Sequence, residues 1–308
     1  MSPKRVAVRD YGGLALLGVL GWVLLVSVNS FWSSVLASIL IWTVATSGLN
    51  LIAGLGGYPS LVQGAFYGLG AYGSAIALNA GLPLWLAALI AVGAAGVSGL
   101  AIGVIFARTR GQYFAIGTLF FGVITALVLN NWAGLTGGPL GTSVLFAFGS
   151  NAWLNAAIPA CAAASLMLVR FVSRSRLGRR LVTVREDEDL AEHVGVPTGR
   201  TKLIGFVLSA CVAGLAGVLI AQYNSTLSPD MFGYSVGFVM FVALSVGGAG
   251  RVLGPLLGSL FIVGVPDLLN LPSGIGLLLV GVVFIAVVIL VPGGLMSGLD
   301  AVARLRRA

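Results

Sequence analysis

The chain has 308 residues, of which 58% are hydrophobic and only 8% charged, with forty-five glycines. Soluble domains carry roughly 25% charged residues, so a soluble globule is excluded and an all-α polytopic integral membrane protein is the class that remains. The formal net charge of +8 must then be tested against membrane topology before it is read as nucleic-acid binding.

A helix rises about 1.5 Å per residue, so roughly 18 apolar residues or more cross a hydrocarbon layer about 30 Å thick. Runs of this kind, read with their breakers, predict spans at 12–28, 31–52, 61–78, 84–106, 113–132, 152–171, 203–222, 236–247, 252–268 and 275–291. That is about ten transmembrane helices in one transmembrane domain over 1–308, with a charged segment at 172–202 left outside the membrane. Helices are implied because lipid cannot satisfy backbone N–H and C=O groups, and the runs are too long for barrel strands. The first run follows a basic terminus, as a signal peptide does. Its length, the lack of a small-residue cleavage site and the span that follows at once predict a retained anchor.

The loops give the orientation. If the N-terminus is cytoplasmic, then Lys4, Arg5, Arg9, Arg108, Arg110, the bases from Arg170 to Lys202, Arg251, Arg304, Arg306 and Arg307 all fall inside. The expected outer loops 79–83, 133–151, 223–235 and 269–274 carry no Lys or Arg. Both termini are therefore expected in the cytoplasm, and the positive charge reports topology. Lipid is the expected surrounding, and no nucleic-acid partner is called for. Cys161 and Cys211 lie inside expected spans with no pairing pattern, as small core residues do.

Gly56-Gly57, Gly64 and Gly68 are echoed by Gly247-Gly248, Gly254 and Gly258. Small residues at this spacing let membrane helices approach closely. A duplicated pair of bent helices beside a substrate path is the sharper alternative.

Several chemistries have no residues to perform them. A phosphate-binding P-loop needs Lys after Gly, whereas Lys4 follows Pro3 and Lys202 follows Thr201. Ion-driven carriers hold carboxylates or histidine inside the membrane, but every acid here lies in a tail or loop or, for Asp230 and Asp267, at an outer edge. The sole histidine, His193, sits in the charged loop and suits a solvated helix end. No nucleophile–base pair or ligand set is visible, so neither a catalytic residue nor a metal site is assigned.

The stretch GRRLVTVREDEDLAEHVGVPTGRTK, 178–202, holds Glu186, Asp187, Glu188, Asp189 and Glu192, five of the nine acids in the chain. Asp187 is placed to cap a short helix whose first residues, Glu188 and Asp189, complement the positive end of its dipole. Gly195 suits the left-handed position after it, and Pro197 bars continuation. Thr183 with Glu186 is a second possible start, as a capping box. Leu190, Ala191 and Val194 are expected on one side and charges on the other. Two turns are too short to be stable alone, so the helix needs a surface. A solvated loop would need only bases; acids with a small apolar face suit docking on another protein.

The run GRRLVTVREDEDLAEHVG resembles the cytoplasmic coupling-helix segment of ABC-importer permeases. Glu188, Leu190, Ala191 and Gly195 occupy the places of that pattern's acid, small residues and glycine, with Leu190 where alanine is usual. NLIAGLGGYPSLVQGAFYGLGAY, TRGQYFAIGTLFFGVITALVLNNWAGLTGGPLG, KLIGFVLSACVAGLAGVLIAQYNSTLSPDMF and LSVGGAGRVLGPLLGS are similar, in order, to successive stretches of the branched-chain amino acid permease family of LivM type. The likeness runs from about Asn50 to Gly258.

The resemblance implies a subunit of a bacterial inner-membrane importer that pairs with a homologous second permease, two cytoplasmic ATPases and an extracytoplasmic solute-binding protein. ATP and magnesium would sit on the ATPases, with no cofactor in this chain. Arg185, Glu186, Glu188, Leu190, Ala191, Glu192 and Gly195 would couple to the ATPase. Asn50, Ser60, Gln63, Tyr67, Thr118 and Asn130, polar residues within or beside the early spans, are candidates for the translocation path or for interhelical bonds. Gln63 ranks first, being in a glycine-rich, proline-interrupted stretch. The sequence departs from the family where Gln63 replaces His, Val62 replaces Gly and Leu140 replaces Asn. A neutral amide bonds amino acids, urea and short amides alike, so a permease for urea or short amides is the alternative. An ion-coupled carrier or a non-transporting scaffold fits less of the sequence.

Overall fold

The computed structural model describes residues 3–106, 109, 111–144, 152–268, 278, 281–282, 284–286, 289 and 293–297. The expected span at 275–291, the loop 269–274 and the bases Arg108, Arg110, Arg304, Arg306 and Arg307 lie wholly or largely outside the described residues. Among those residues the regular structure is helical except for two-residue strands β1 (Thr142–Ser143) and β2 (Thr226–Leu227), paired antiparallel.

The helices run α1 (Pro3–Ser27), α2 (Ser30–Leu49), α3 (Gln63–Asn79), α4 (Leu84–Phe106), α5 (Gly111–Asn131), α6 (Ala133–Thr136), α7 (Ala152–Arg174), α8 (Arg176–Glu186), α9 (Glu188–His193), α10 (Thr198–Tyr223), α11 (Tyr234–Gly247), α12 (Gly254–Ser259) and α13 (Val265–Leu268). Alpha-helix gives way to wider π-helical turns at Asn50–Leu55 and Leu260–Gly264. Six described helices are long and apolar enough to cross a membrane, and shorter apolar helices lie at Tyr11–Ser27 and Gly254–Gly264. The expected span 84–106 coincides with α4; α1 begins at Pro3, well before the expected start at 12, and the other spans that fall on described residues shift by a few residues at their ends.

The core is built on α2 and α10, whose most apolar windows are 83% and 67% buried, against 28% for α5. Their neighbours approach through glycine. A Cβ on Gly70 of α3 would collide with the backbone of Gly214 of α10, and one on Gly217 with the carbonyl of Tyr67. On the opposite side of α10, a Cβ on Gly214 would stand 2.7 Å from that of Ala95 in α4. Without a hydrophobic force between helices in lipid, such close backbone packing is what holds a bundle together. The duplicated glycines serve the same end: Gly64 lies under Gly233 and Gly237, Gly258 under Ala243 of α11, and Gly247 under Gly254.

The bundle gathers the basic loops at one end, where Arg185 meets Gly54 and Lys202 meets Thr109. The opposite end carries the β1–β2 pairing and the bond from Asn79 to the Ser143 carbonyl.

Candidate functional site

At the basic end, α8 comes first and is not expected from the sequence as a helix of its own. The Ser175 hydroxyl caps it by accepting from Gly178 N–H at 3.2 Å. Gly178, Leu181 and Val184 form its buried face, and Leu181 joins Leu51, Leu55, Val169 and Val172 in a small core against the π-helical turn and the end of α7. The signal is present in Leu177, Leu181 and Val184 at positions i, i+4 and i+7 behind a serine cap.

The two turns of α9 follow, as expected. The Asp187 carboxylate accepts from Leu190 N–H at 2.9 Å. Gly195 takes φ +81°, and its N–H bonds the Glu192 carbonyl while that of Val196 bonds Ala191, a complete Schellman ending. The capping box at Thr183 does not form, because that hydroxyl donates to the Arg179 carbonyl inside α8.

The faces of α9 differ from the expectation. Leu190, Ala191 and Val194 do not share one side: Ala191 is fully buried, while Leu190 and Val194 are 60% and 66% exposed. Several charges expected to face outward turn inward. Arg185 donates to the Gly54 carbonyl at 2.7 Å. Glu188 pairs with Lys202 and also accepts from the Tyr58 hydroxyl at 2.6 Å. Glu192 accepts from the Thr198 hydroxyl at 2.6 Å, though its residue stays largely exposed. For Glu188 the physical reason is Lys202, 3% exposed at the start of α10; a charge so far out of water requires a partner. Glu186, Asp187, Asp189, Leu190 and Val194 remain on the outer surface.

The path candidates divide. Asn50 is buried at the start of the first π-helical turn, and its carboxamide bonds Gly250 N–H and the Arg251 carbonyl, both at 2.8 Å. Gln63, the first residue of α3, donates to the Ala45 carbonyl at 2.9 Å and accepts from the Ser209 hydroxyl at 3.1 Å, tying α2, α3 and α10 together. Thr118 accepts from Leu61 N–H at 3.2 Å and donates to Ala115. Tyr67 packs edge-on to Phe232, centroids 5.2 Å apart. Asn130 is exposed. Ser60 is fully buried, and its hydroxyl has no hydrogen-bond partner among the described residues. Ser47 on α2 shares both properties, and nothing in the sequence distinguishes it from other serines in the spans.

At the opposite end, Gly137, Gly138 and Gly141 all have positive φ and raise Leu140 to 97% exposure on a loop held by β1. Among the described residues no group of three or more His, Cys, Asp or Glu side chains could hold a metal.

Glycine-packed apolar spans with a charged, two-faced helix at one end make this an all-α polytopic membrane protein. The chain belongs to the branched-chain amino acid transport system permease family, whose profile matches residues 31–291. It is 30% identical over 289 residues to the high-affinity branched-chain amino acid transport system permease protein LivM of Escherichia coli (strain K12), covering 83% of this chain and 68% of that one. The protein of the same description from Salmonella typhimurium is 29% identical, covering 92% and 74%. The permease protein LivH of Salmonella typhimurium is 27% identical, covering 72% and 79%. A solved structure, PsaBC from Streptococcus pneumoniae in complex with Fab, covers 89% of this chain and 97% of its own at 15% identity and a TM-score of 0.45, a likeness too slight to carry an argument.

Proposed function

We propose that this permease is one of two homologous membrane-spanning subunits of an ATP-driven importer in the bacterial inner membrane, with both termini in the cytoplasm. It forms part of the translocation path for branched-chain amino acids or related small polar solutes. The observation that carries the reading is α9: a capped two-turn helix whose inner face is sealed onto the spans while Leu190 and Val194 stand exposed among acids. Apolar side chains presented that way on a short rigid helix suit a groove in another protein. The partners supplying that groove are two cytoplasmic ATPases, which carry the ATP and magnesium that this chain has no Walker motif to bind. An extracytoplasmic solute-binding protein delivers substrate at the end where Leu140 projects. The likeness to both LivM and LivH supports a pair of related permeases.

Within the path, Ser60 is a fully buried candidate whose hydroxyl has no partner among the described residues. Asn50, Gln63 and Thr118 instead hold helices in register in this conformation. ATP binding would drive the ATPases together, move α9, and switch the spans between outward and inward openings. A second reading, transport of urea or short amides, is favoured by one observation: a neutral amide, Gln63, where the family commonly has histidine. Cells lacking their own branched-chain uptake, expressing the complete transporter, test the choice. Labelled leucine should be taken up, with unlabelled isoleucine and valine competing while urea and acetamide do not; uptake of labelled urea or acetamide with none of leucine would establish the second reading.

A further inference from the structure

The acid that the family pattern places on the coupling helix faces inward here. Glu188 lies between two anchors: one carboxylate oxygen takes the Lys202 ammonium, the other the Tyr58 hydroxyl at 2.6 Å. Lys202 in turn lies over the Tyr58 ring, 4.5 Å from its centroid, and reaches the Thr109 carbonyl at 3.4 Å. Four separate stretches of chain meet in this cluster: α9, the first turn of α10, the link between α4 and α5, and the loop from the first π-helical turn into α3. The aromatic ring of Tyr58 continues the contact inward to Phe114, centroids 5.3 Å apart, and Phe114 to Phe206 of α10 at 5.7 Å. A second connection runs alongside. Arg185 holds the Gly54 carbonyl, and Gly57, at φ +74°, lies so close to the Arg185 side chain that a Cβ there would come within 2.5 Å.

We propose that Tyr58, Glu188 and Lys202 form a lock that makes α9 move as one body with α10 and with the loop that starts α3, so that Glu188 is a positioning residue rather than a contact to the ATPase. A short helix joined to the spans only by its ends would bend or slide when pushed, and the push would be lost. Bonded through the side chain of its first residue to the break before α3, and seated on the buried Ala191, it passes displacement directly to the segment that carries Ser60 and Gln63. The division of labour follows the helical spacing. Positions 188, 191 and 192 hold the helix to its own subunit, and 190 and 194 are left for the partner.

This inference rests on the docking reading of α9, and the test separates the two. The complete transporter, with its ATPases and solute-binding protein, is purified carrying Tyr58→Phe, Glu188→Gln, both together, or Leu190→Asp. The lock predicts that Tyr58→Phe and Glu188→Gln each keep ATPase subunits in a pull-down and keep basal hydrolysis. Transport per ATP hydrolysed should fall at least threefold in each, and the double variant should lose less than the product of the two single losses, because both changes act on the contacts of one carboxylate. Glu188→Asp, which keeps the charge but shortens the reach, should recover part of the coupling. The lock is overturned by losses that multiply in the double variant, or by loss of the ATPases from Glu188→Gln in the pull-down. Unchanged coupling in both single variants overturns it equally. Leu190→Asp answers the other question: if it keeps the ATPases fully bound, the docking reading fails whatever the lock variants do.

Discussion

The carboxamide of Asn50 accepts a hydrogen bond from Gly250 N–H and donates one to the Arg251 carbonyl, joining two glycine-rich turns some two hundred residues apart in sequence. A Cβ on Gly54 would strike the Asn50 oxygen and approach Gly250 N to 2.5 Å, so the fit depends on glycine as well. Replacing Asn50 with Leu leaves a backbone donor and an acceptor unpaired, each worth roughly 1–3 kcal/mol. A lower thermal midpoint of the purified protein, read by size-exclusion chromatography after heating, is the expected outcome; an unchanged midpoint would show that the two turns are held by other contacts.

The crossing of α3 and α10 makes a sharper steric prediction. Gly70→Val forces a side chain into the Gly214 backbone, and overpacking against backbone costs about 1–3 kcal/mol or more. A Cβ on Gly93 of α4 would meet nothing within 4 Å, so Gly93→Ala should leave yield and stability unchanged or slightly improved. Equal behaviour of the two variants in a folded-yield assay would contradict the packing described.

For the path, Ser60 and Gln63 are expected to respond in opposite ways. Ser60→Ala removes a buried hydroxyl with no partner among the described residues and should leave stability unchanged or raise it slightly; if Ser60 lines the path, the KM for uptake rises. Gln63→Leu abandons bonds to Ala45 and Ser209 and should cost about 1–3 kcal/mol of stability. Should Gln63→Leu keep full stability while uptake changes, its amide serves substrate and not packing.

Gly195 faces open space, which isolates its backbone requirement. At φ +81° a β-branched side chain is strained by about 1–3 kcal/mol, whereas asparagine tolerates that region. Gly195→Val should therefore uncouple transport from hydrolysis or release the ATPases, and Gly195→Asn should retain both activities. Identical phenotypes for the two would place the importance of Gly195 elsewhere.

Much of this is readable in the sequence because the signals are local. Apolar runs, the basic loops, the Asp187 cap and the left-handed Gly195 each depend on neighbours within a few residues, and α4 and α9 follow from them. What is not readable depends on distant partners. Nothing near Lys202 in sequence says that it is buried, so neither the inward turn of Glu188 nor its bond to Tyr58 can be foreseen. Gln63 draws attention through its departure from a family pattern, but its environment is made by α2 and α10, whose register against α3 is set by Gly70, Gly214 and Gly217. Helix α8 is legible in principle, but its charges mask its apolar stripe.

Orientation is open to direct labelling. In a variant without Cys161 and Cys211, a cysteine in place of His193 should react with a membrane-impermeant maleimide only in inside-out vesicles, and one in place of Ser143 only in intact spheroplasts. Both positions are exposed. Reversed accessibility would put α9 on the wrong side for cytoplasmic ATPases.

The central claim, that this chain transports by coupling to ATP hydrolysed elsewhere, is tested most directly by uptake into proteoliposomes. The complete transporter should accumulate labelled leucine only with ATP and solute-binding protein on their respective sides, and should stop when the ATPase subunits carry an inactivated Walker lysine. The purified chain alone should accumulate none under a proton or sodium gradient. Gradient-driven accumulation by the chain alone, or uptake unaffected by the inactivated ATPases, would contradict the account.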